Sequence, residues 1–110
     1  METLFSSGSK SMSAYPLRAV FRTVPRSETG VPVQVLVSVS KRRFKHAVDR
    51  NRVKRQLREA YRHAKQRLVE AVPDDETLLL GFMWMADRHA PSDKVARQVE
   101  ALVVRIAEKV

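Results

Sequence analysis

The sequence predicts an α+β fold, and three observations carry that prediction. Two segments before residue 41 alternate apolar and polar residues with period two. Two later segments place apolar residues three and four apart. Between those two, a run of apolar residues too short to be a helix of its own is bounded by turn-forming residues. Period two belongs to a strand with one covered face, and the 3–4 spacing belongs to an amphipathic helix. The expected order is strand, strand, long helix, strand, helix, in one domain spanning residues 1–110.

The opening residues 1–14 contain five serines between Ser6 and Ser13 and are expected to form a mobile lead-in, with a helical remnant at Glu2 to Phe5. In "YPLRAVFRTV", Tyr15 to Val24, Leu17, Ala19 and Phe21 alternate with Arg18, Val20 and Arg22, which predicts a strand. "PRSETGVP" supplies proline, serine and a Thr29-Gly30 pair and is expected to be a loop. "VQVLVSVS", Val33 to Ser40, is rich in β-branched residues and predicts the second strand. Val53, Leu57, Ala60, Ala64, Leu68 and Ala71 then share one helical face, giving a helix from about Ala47 to Val72 that Pro73 ends. After the charged turn Asp74-Asp75-Glu76, "TLLLGFMWMA" is apolar on both faces, so a strand covered on both sides is expected, with Phe82 and Trp84 in the core. Ser92 is placed to cap a last helix, whose stripe is Val95, Val99, Leu102, Val103, Ile106 and Val110. A strand–helix–strand unit of this length usually forms a parallel pair with a right-handed crossover.

Charge narrows the function. The chain carries +9, with 21 basic and twelve acidic residues. Between Lys41 and Arg67 lie twelve basic residues against two acids, +10, while the remaining nine basic and ten acidic residues leave −1. A basic segment on a neutral domain is the footprint of a polyanion binder. On a helical wheel Asn51, Lys54, Arg55, Arg58, Arg62 and Lys65 form a ridge beside the apolar stripe, while Arg52, Gln56, Glu59 and His63 point elsewhere. At 1.5 Å per residue the ridge extends roughly 20 Å, enough to follow several phosphates. A face that merely solubilises a helix normally carries interspersed glutamates. Here Glu59 is nearly alone.

Other functions find little support. The absence of cysteine removes disulfides and cysteine-ligated metal sites, and it fits a cytoplasmic protein. The longest apolar run, Leu78 to Ala86, is far short of the roughly 20 residues of a membrane helix. A membrane-surface helix would need a free apolar face, and here the core claims it. His46, His63 and His89 read as isolated, and Asp74, Asp75 and Glu76 read as a solvated turn. No catalytic residue and no metal ligand set is expected in the protein itself.

The stretch "SVSKRRFKHAVDRNRVKRQLREAYR" closely resembles the signature of the protein subunit of bacterial ribonuclease P. That signature runs from a Ser-Val-Ser-Lys strand end into Ala-Val-x-Arg-Asn-x-x-Lys-Arg-x-x-Arg-Glu. It is met here by Ser38 to Lys41 and by Ala47, Val48, Arg50, Asn51, Arg52, Lys54, Arg55, Arg58 and Glu59. Two departures stand out. The family's glycine-containing link before the helix is replaced by Arg42 to His46, one residue longer and without glycine. Phe5 and Gly8 match the second aromatic and the glycine of the family's first helix, but the preceding basic segment is missing, so a shortened amino terminus is expected.

The resemblance implies a compact α/β sandwich, like the second domain of ribosomal protein S5, with a left-handed crossover through the basic helix. It implies a partner, the catalytic RNA, which holds a magnesium-dependent centre that removes the 5′ leader of precursor tRNA. Magnesium would be bound mainly by that RNA and the substrate. Lys41, Arg50, Asn51, Arg52, Lys54, Arg55, Arg58 and Arg62 would contact RNA, and Phe5, Ala19 and Phe21 would line a cleft for the leader. No membrane and no obligate protein partner are expected. The rival readings are a general or ribosomal RNA-binding module without a part in cleavage, and a metal-dependent nuclease acting alone.

Overall fold

The computed structural model describes residues 10–26 and 30–110. Four strands, β1 (Lys10–Ala14), β2 (Leu17–Pro25), β3 (Val33–Ser38) and β4 (Glu76–Trp84), form one sheet in the order β1-β2-β4-β3. Two helices, α1 (Ala47–Ala71) and α2 (Ser92–Ala107), complete the described fold. β1 pairs antiparallel with β2, β2 antiparallel with β4, and β3 parallel with β4. The parallel pair joined by the long helix is the one the period switch predicts.

β1 was not expected. Residues 10–14, assigned to the lead-in, pair with β2 from Lys10 opposite Phe21 to Ala14 opposite Leu17. Serine-rich strands give little apolar signal; only Met12 of β1 is buried. The hydrogen bonds come from the backbone and need no hydrophobic alternation to form. The expected helical remnant at Glu2 to Phe5 lies outside the described residues.

One face of the sheet carries Met12, Leu17, Ala19, Phe21, Val37, Leu78, Leu80, Phe82 and Trp84, and both helices pack on it. α1 contributes Val53, Leu57, Ala60 and Leu68, and α2 contributes Val95, Val99, Leu102, Val103 and Ile106. The core is this single layer between sheet and helices. β4 departs from the expectation of two covered faces. Leu78, Leu80, Phe82 and Trp84 are buried under the helices, while on the other face Thr77 and Gly81 are buried and Leu79 and Met83 are only partly covered. The carboxyl end of α1 is closed by Val72 N–H donating to Leu68 O, and Pro73 follows. Ser92 is the first residue of α2, preceded by Pro91, and its side chain makes no cap. Its Oγ instead accepts a hydrogen bond from Gln56 Nε2 at 3.1 Å, which ties the start of α2 to α1.

Candidate nucleic-acid interface

The site begins with how α1 starts. Without a glycine, the chain leaves β3 through a turn in which Arg43 and Phe44 N–H both reach Ser40 O. Phe44 is then buried in the core and stacks on His89, ring centroids 4.6 Å apart and 21° from parallel. No side chain caps the helix at His46. The Arg50 guanidinium instead folds back and donates from Nη1 to Phe44 O (3.0 Å) and Lys45 O (2.9 Å). Asp49, in the positive first turn, accepts from His89 Nε2 at 3.1 Å. Arg43 pairs with Asp87 at 3.0 Å. Three contacts therefore join the start of α1 to the loop after β4, where sequence reading treats His89 as isolated. Residues forty apart in the chain leave no local pattern by which they could have been found.

From this anchored start α1 presents two flanks. The flank bearing Asp49 and Gln56 faces α2 and its preceding loop, with Gln56 Nε2 also donating to Ala90 O at 3.1 Å. The opposite flank carries the ridge. Asn51, Arg55, Arg58 and Lys65 are exposed, and Lys54 is half-buried. None of these five has an ion-pair or hydrogen-bond partner among the described residues. Arg52 and Lys41 are also exposed and unpaired, Arg52 off the ridge and Lys41 in the turn before the helix. Unpaired guanidiniums along one helix flank leave their planar donor forks available to phosphate oxygens.

Two predicted contact residues are engaged within the chain. Arg50 closes the helix start, as described. Arg62 donates to both carboxylate oxygens of Glu59, at 2.6 and 3.2 Å. Glu59 also meets His63 Nε2 at 3.0 Å, so His63 too is not isolated. The hydrogen bond from Arg62, then that from His63, lower the Glu59 pKa, and Glu59 raises that of Arg62. This exposed triad sits near the middle of α1 and partly neutralises the ridge there.

The expected leader cleft is corrected by the direction of β2. Ala19 is 0% and Phe21 3% exposed, and both point into the core against the helices. Period two then places Arg18, Val20 and Arg22 on the opposite sheet face, alongside Leu79 and Met83 of β4 and Leu36 of β3. Among the described residues no helix packs on that face. Arg18 and Leu36 are exposed there. Phe5 lies outside the described residues.

Among the described residues no three His, Asp or Glu side chains converge as a metal site. No described helix is long and apolar enough to cross a membrane.

Comparison with known proteins places this geometry. The ribonuclease P family model matches residues 2–106. A ribonuclease P protein component from Porphyromonas gingivalis is 37% identical over 111 aligned positions, covering 100% of this chain and 80% of that protein. The fold superposes on the ribonuclease P protein of Staphylococcus aureus with a TM-score of 0.65 at 18% identity, covering 91% of this chain and 82% of that one. It superposes on that of Thermotoga maritima with a TM-score of 0.66 at 18% identity, covering 94% and 87%. A family match along nearly the whole sequence, joined to a shared fold and an unpaired basic helix flank, establishes that this chain belongs to the ribonuclease P protein family, a family of RNA-binding tRNA-processing components.

Proposed function

We propose that this chain is the protein subunit of a ribonuclease P ribonucleoprotein in the cytoplasm, with the catalytic centre in its RNA partner. The α1 ridge binds the catalytic RNA through Asn51, Lys54, Arg55, Arg58 and Lys65, with Lys41 and Arg52 adding cationic contacts beside it. The single observation that carries the reading is this row of cationic side chains, unpaired among the described residues, on the flank of α1 opposite the one that meets α2.

The 5′ leader of precursor tRNA lies across the sheet face opposite the helices. Arg18 supplies a phosphate contact there, and Leu36 and Met83 supply an apolar floor for unstacked bases. Both RNAs together bring the cleavage site to the metal ions that the RNA partner holds. This chain's part is binding and orientation, and its own residues carry no proton or nucleophile in the reaction.

The test is precursor-tRNA cleavage at low magnesium, with the cognate catalytic RNA, with and without this protein. A large gain in rate or substrate affinity with the protein, and no cleavage by the protein alone, is the expected result. Equal cleavage with and without it would favour a general RNA-binding module. Cleavage by protein and magnesium alone would favour the stand-alone nuclease.

A further inference from the structure

A cavity of about 350 Å³ lies at the end of the sheet where the β1–β2 turn meets the loop between β4 and α2. Its wall is formed by Tyr15, Pro16, Trp84 and Pro91, with Arg88 and Lys94 at its rim. It is on the side of α1 that faces α2, away from the ridge.

The wall is held by contacts that span the fold. Gln98 Nε2 donates to Tyr15 O at 2.7 Å. Met85 N–H donates to Pro16 O at 2.8 Å. Trp84 Nε1 donates to Arg88 O at 3.3 Å. Tyr15 is nonetheless 64% exposed, the aromatic side chain in the described fold that the core does not use. The Arg88 and Lys94 side chains have no ion-pair partner among the described residues.

We propose that this cavity is a second RNA site, which takes one unpaired nucleotide. The base stacks on the Tyr15 ring and slides against Pro91, and Arg88 and Lys94 receive its phosphate. Three features select that ligand class. An exposed aromatic beside the exposed Pro91 accepts a flat ring of any base. Two uncompensated cations beside it ask for an anion. The duplex is excluded, because its bases are stacked and have no free face to offer. The proposal rests on the RNA-binding reading above only in the nature of the ligand; the site, its residues and its face are different.

Trp84 is the chain's one tryptophan and lies in the cavity wall, so its emission reports occupancy directly. The experiment titrates the whole protein with the single-stranded trinucleotide ApApA, into the millimolar range, and follows that emission. The expected result is a saturable change in the wild type and in Tyr15→Phe, which keeps the stacking ring. Tyr15→Ala should weaken binding about ten-fold, within what one base–aromatic stack contributes. Arg88→Gln should weaken it several-fold, while Arg55→Ala with Arg58→Ala should leave it unchanged. No saturable change in the wild type, or one equal in Tyr15→Ala, overturns the proposal. Catalytic RNA and precursor tRNA are then added separately, and the one that moves the Trp84 signal is the source of the nucleotide. A response to neither also overturns it. Failure here leaves the salt dependence of ridge binding untouched, so the two readings fail separately.

Discussion

Replacing Arg55 and Arg58 together by alanine removes two of the four cations on the ridge that have no partner among the described residues, leaving Lys54 and Lys65. Each cation that neutralises a phosphate releases condensed counterions and adds ~0.9 to the negative slope of log affinity against log salt on a duplex. Four such contacts give a ridge contribution of about −3.6, and two give about −1.8. Over a four-fold salt change, from about 50 to about 200 mM, the ridge would then lose about 150-fold in affinity in the wild type and about 12-fold in the double variant. Arg52, Lys41 and other cations add the same background to both, so the difference of about 1.8 in slope is the quantity to trust. The assay is filter binding or fluorescence anisotropy with the catalytic RNA at four or five salt concentrations. Helix content is checked by circular dichroism. Alanine is the better helix former and both side chains are exposed, so the fold should survive. An unchanged slope in a folded double variant would refute the ridge as the contact surface.

The Glu59–Arg62 pair gives a prediction of opposite sign. Glu59→Gln releases Arg62 from its carboxylate, so catalytic-RNA affinity should rise and the salt slope steepen by up to ~0.9; an affinity that falls would mean the pair itself orients the arginine. Because Glu59 titrates below the usual carboxylate value of 4.5 in the folded chain, its pairing contributes stability above that value and loses it as pH falls through the lowered one. Glu59→Gln should therefore flatten the acid limb of a stability–pH curve. Burial against the core pushes the Tyr61 hydroxyl up to about 12, from 10.0. The unfolded chain then loses that proton first, so stability should fall as pH rises from 10 towards 12, and Tyr61→Phe should lessen that fall in urea melts at pH 9 and 11. Finally, Phe21→Ala should cost about 3–5 kcal/mol of stability, as a truncated core aromatic does. Arg18→Ala should leave the melt unchanged and weaken binding to precursor tRNA carrying a leader relative to tRNA lacking one. If the two substitutions exchanged effects, the assignment of sheet faces would be wrong.

The parts legible in the sequence are those with a strong local period. α1 was expected at about 47–72 and spans Ala47–Ala71, because Val53, Leu57, Ala60 and Leu68 repeat at helical spacing and Pro73 must stop it. The ridge followed from the same wheel. β1 was not legible, since Lys10, Ser11 and Ser13 offer no apolar alternation and the strand exists through its pairing with β2. Alternation in β2 correctly divided Leu17, Ala19 and Phe21 from Arg18 and Val20, but period two cannot say which set meets the helices. Packing decides that. Leu17, Ala19 and Phe21 lie beside Trp84, Phe82 and Leu80 of β4, and the most apolar face of a sheet takes the helices. The cleft residues were therefore assigned to the wrong face by one position.

The same limit explains why Arg50 and Arg55 read alike in the sequence and act differently in the fold. Both are arginines of the basic helix, five residues apart. Arg50 lies within one turn of the helix start, where the carbonyls of Phe44 and Lys45 have no helical partners, and its guanidinium satisfies them. Arg55 lies mid-helix, where every carbonyl is already bonded, and its guanidinium has no partner among the described residues. Arg50→Ala should thus lower RNA affinity through the position of the helix start, while Arg55→Ala should lower it through lost charge. The two separate by salt. A variant that loses a phosphate contact changes the slope, and a variant that misplaces the whole ridge weakens binding at every salt concentration. If Arg50→Ala changed the slope by about one unit and left the thermal midpoint alone, Arg50 would be a direct phosphate contact and its bonds to Phe44 and Lys45 incidental.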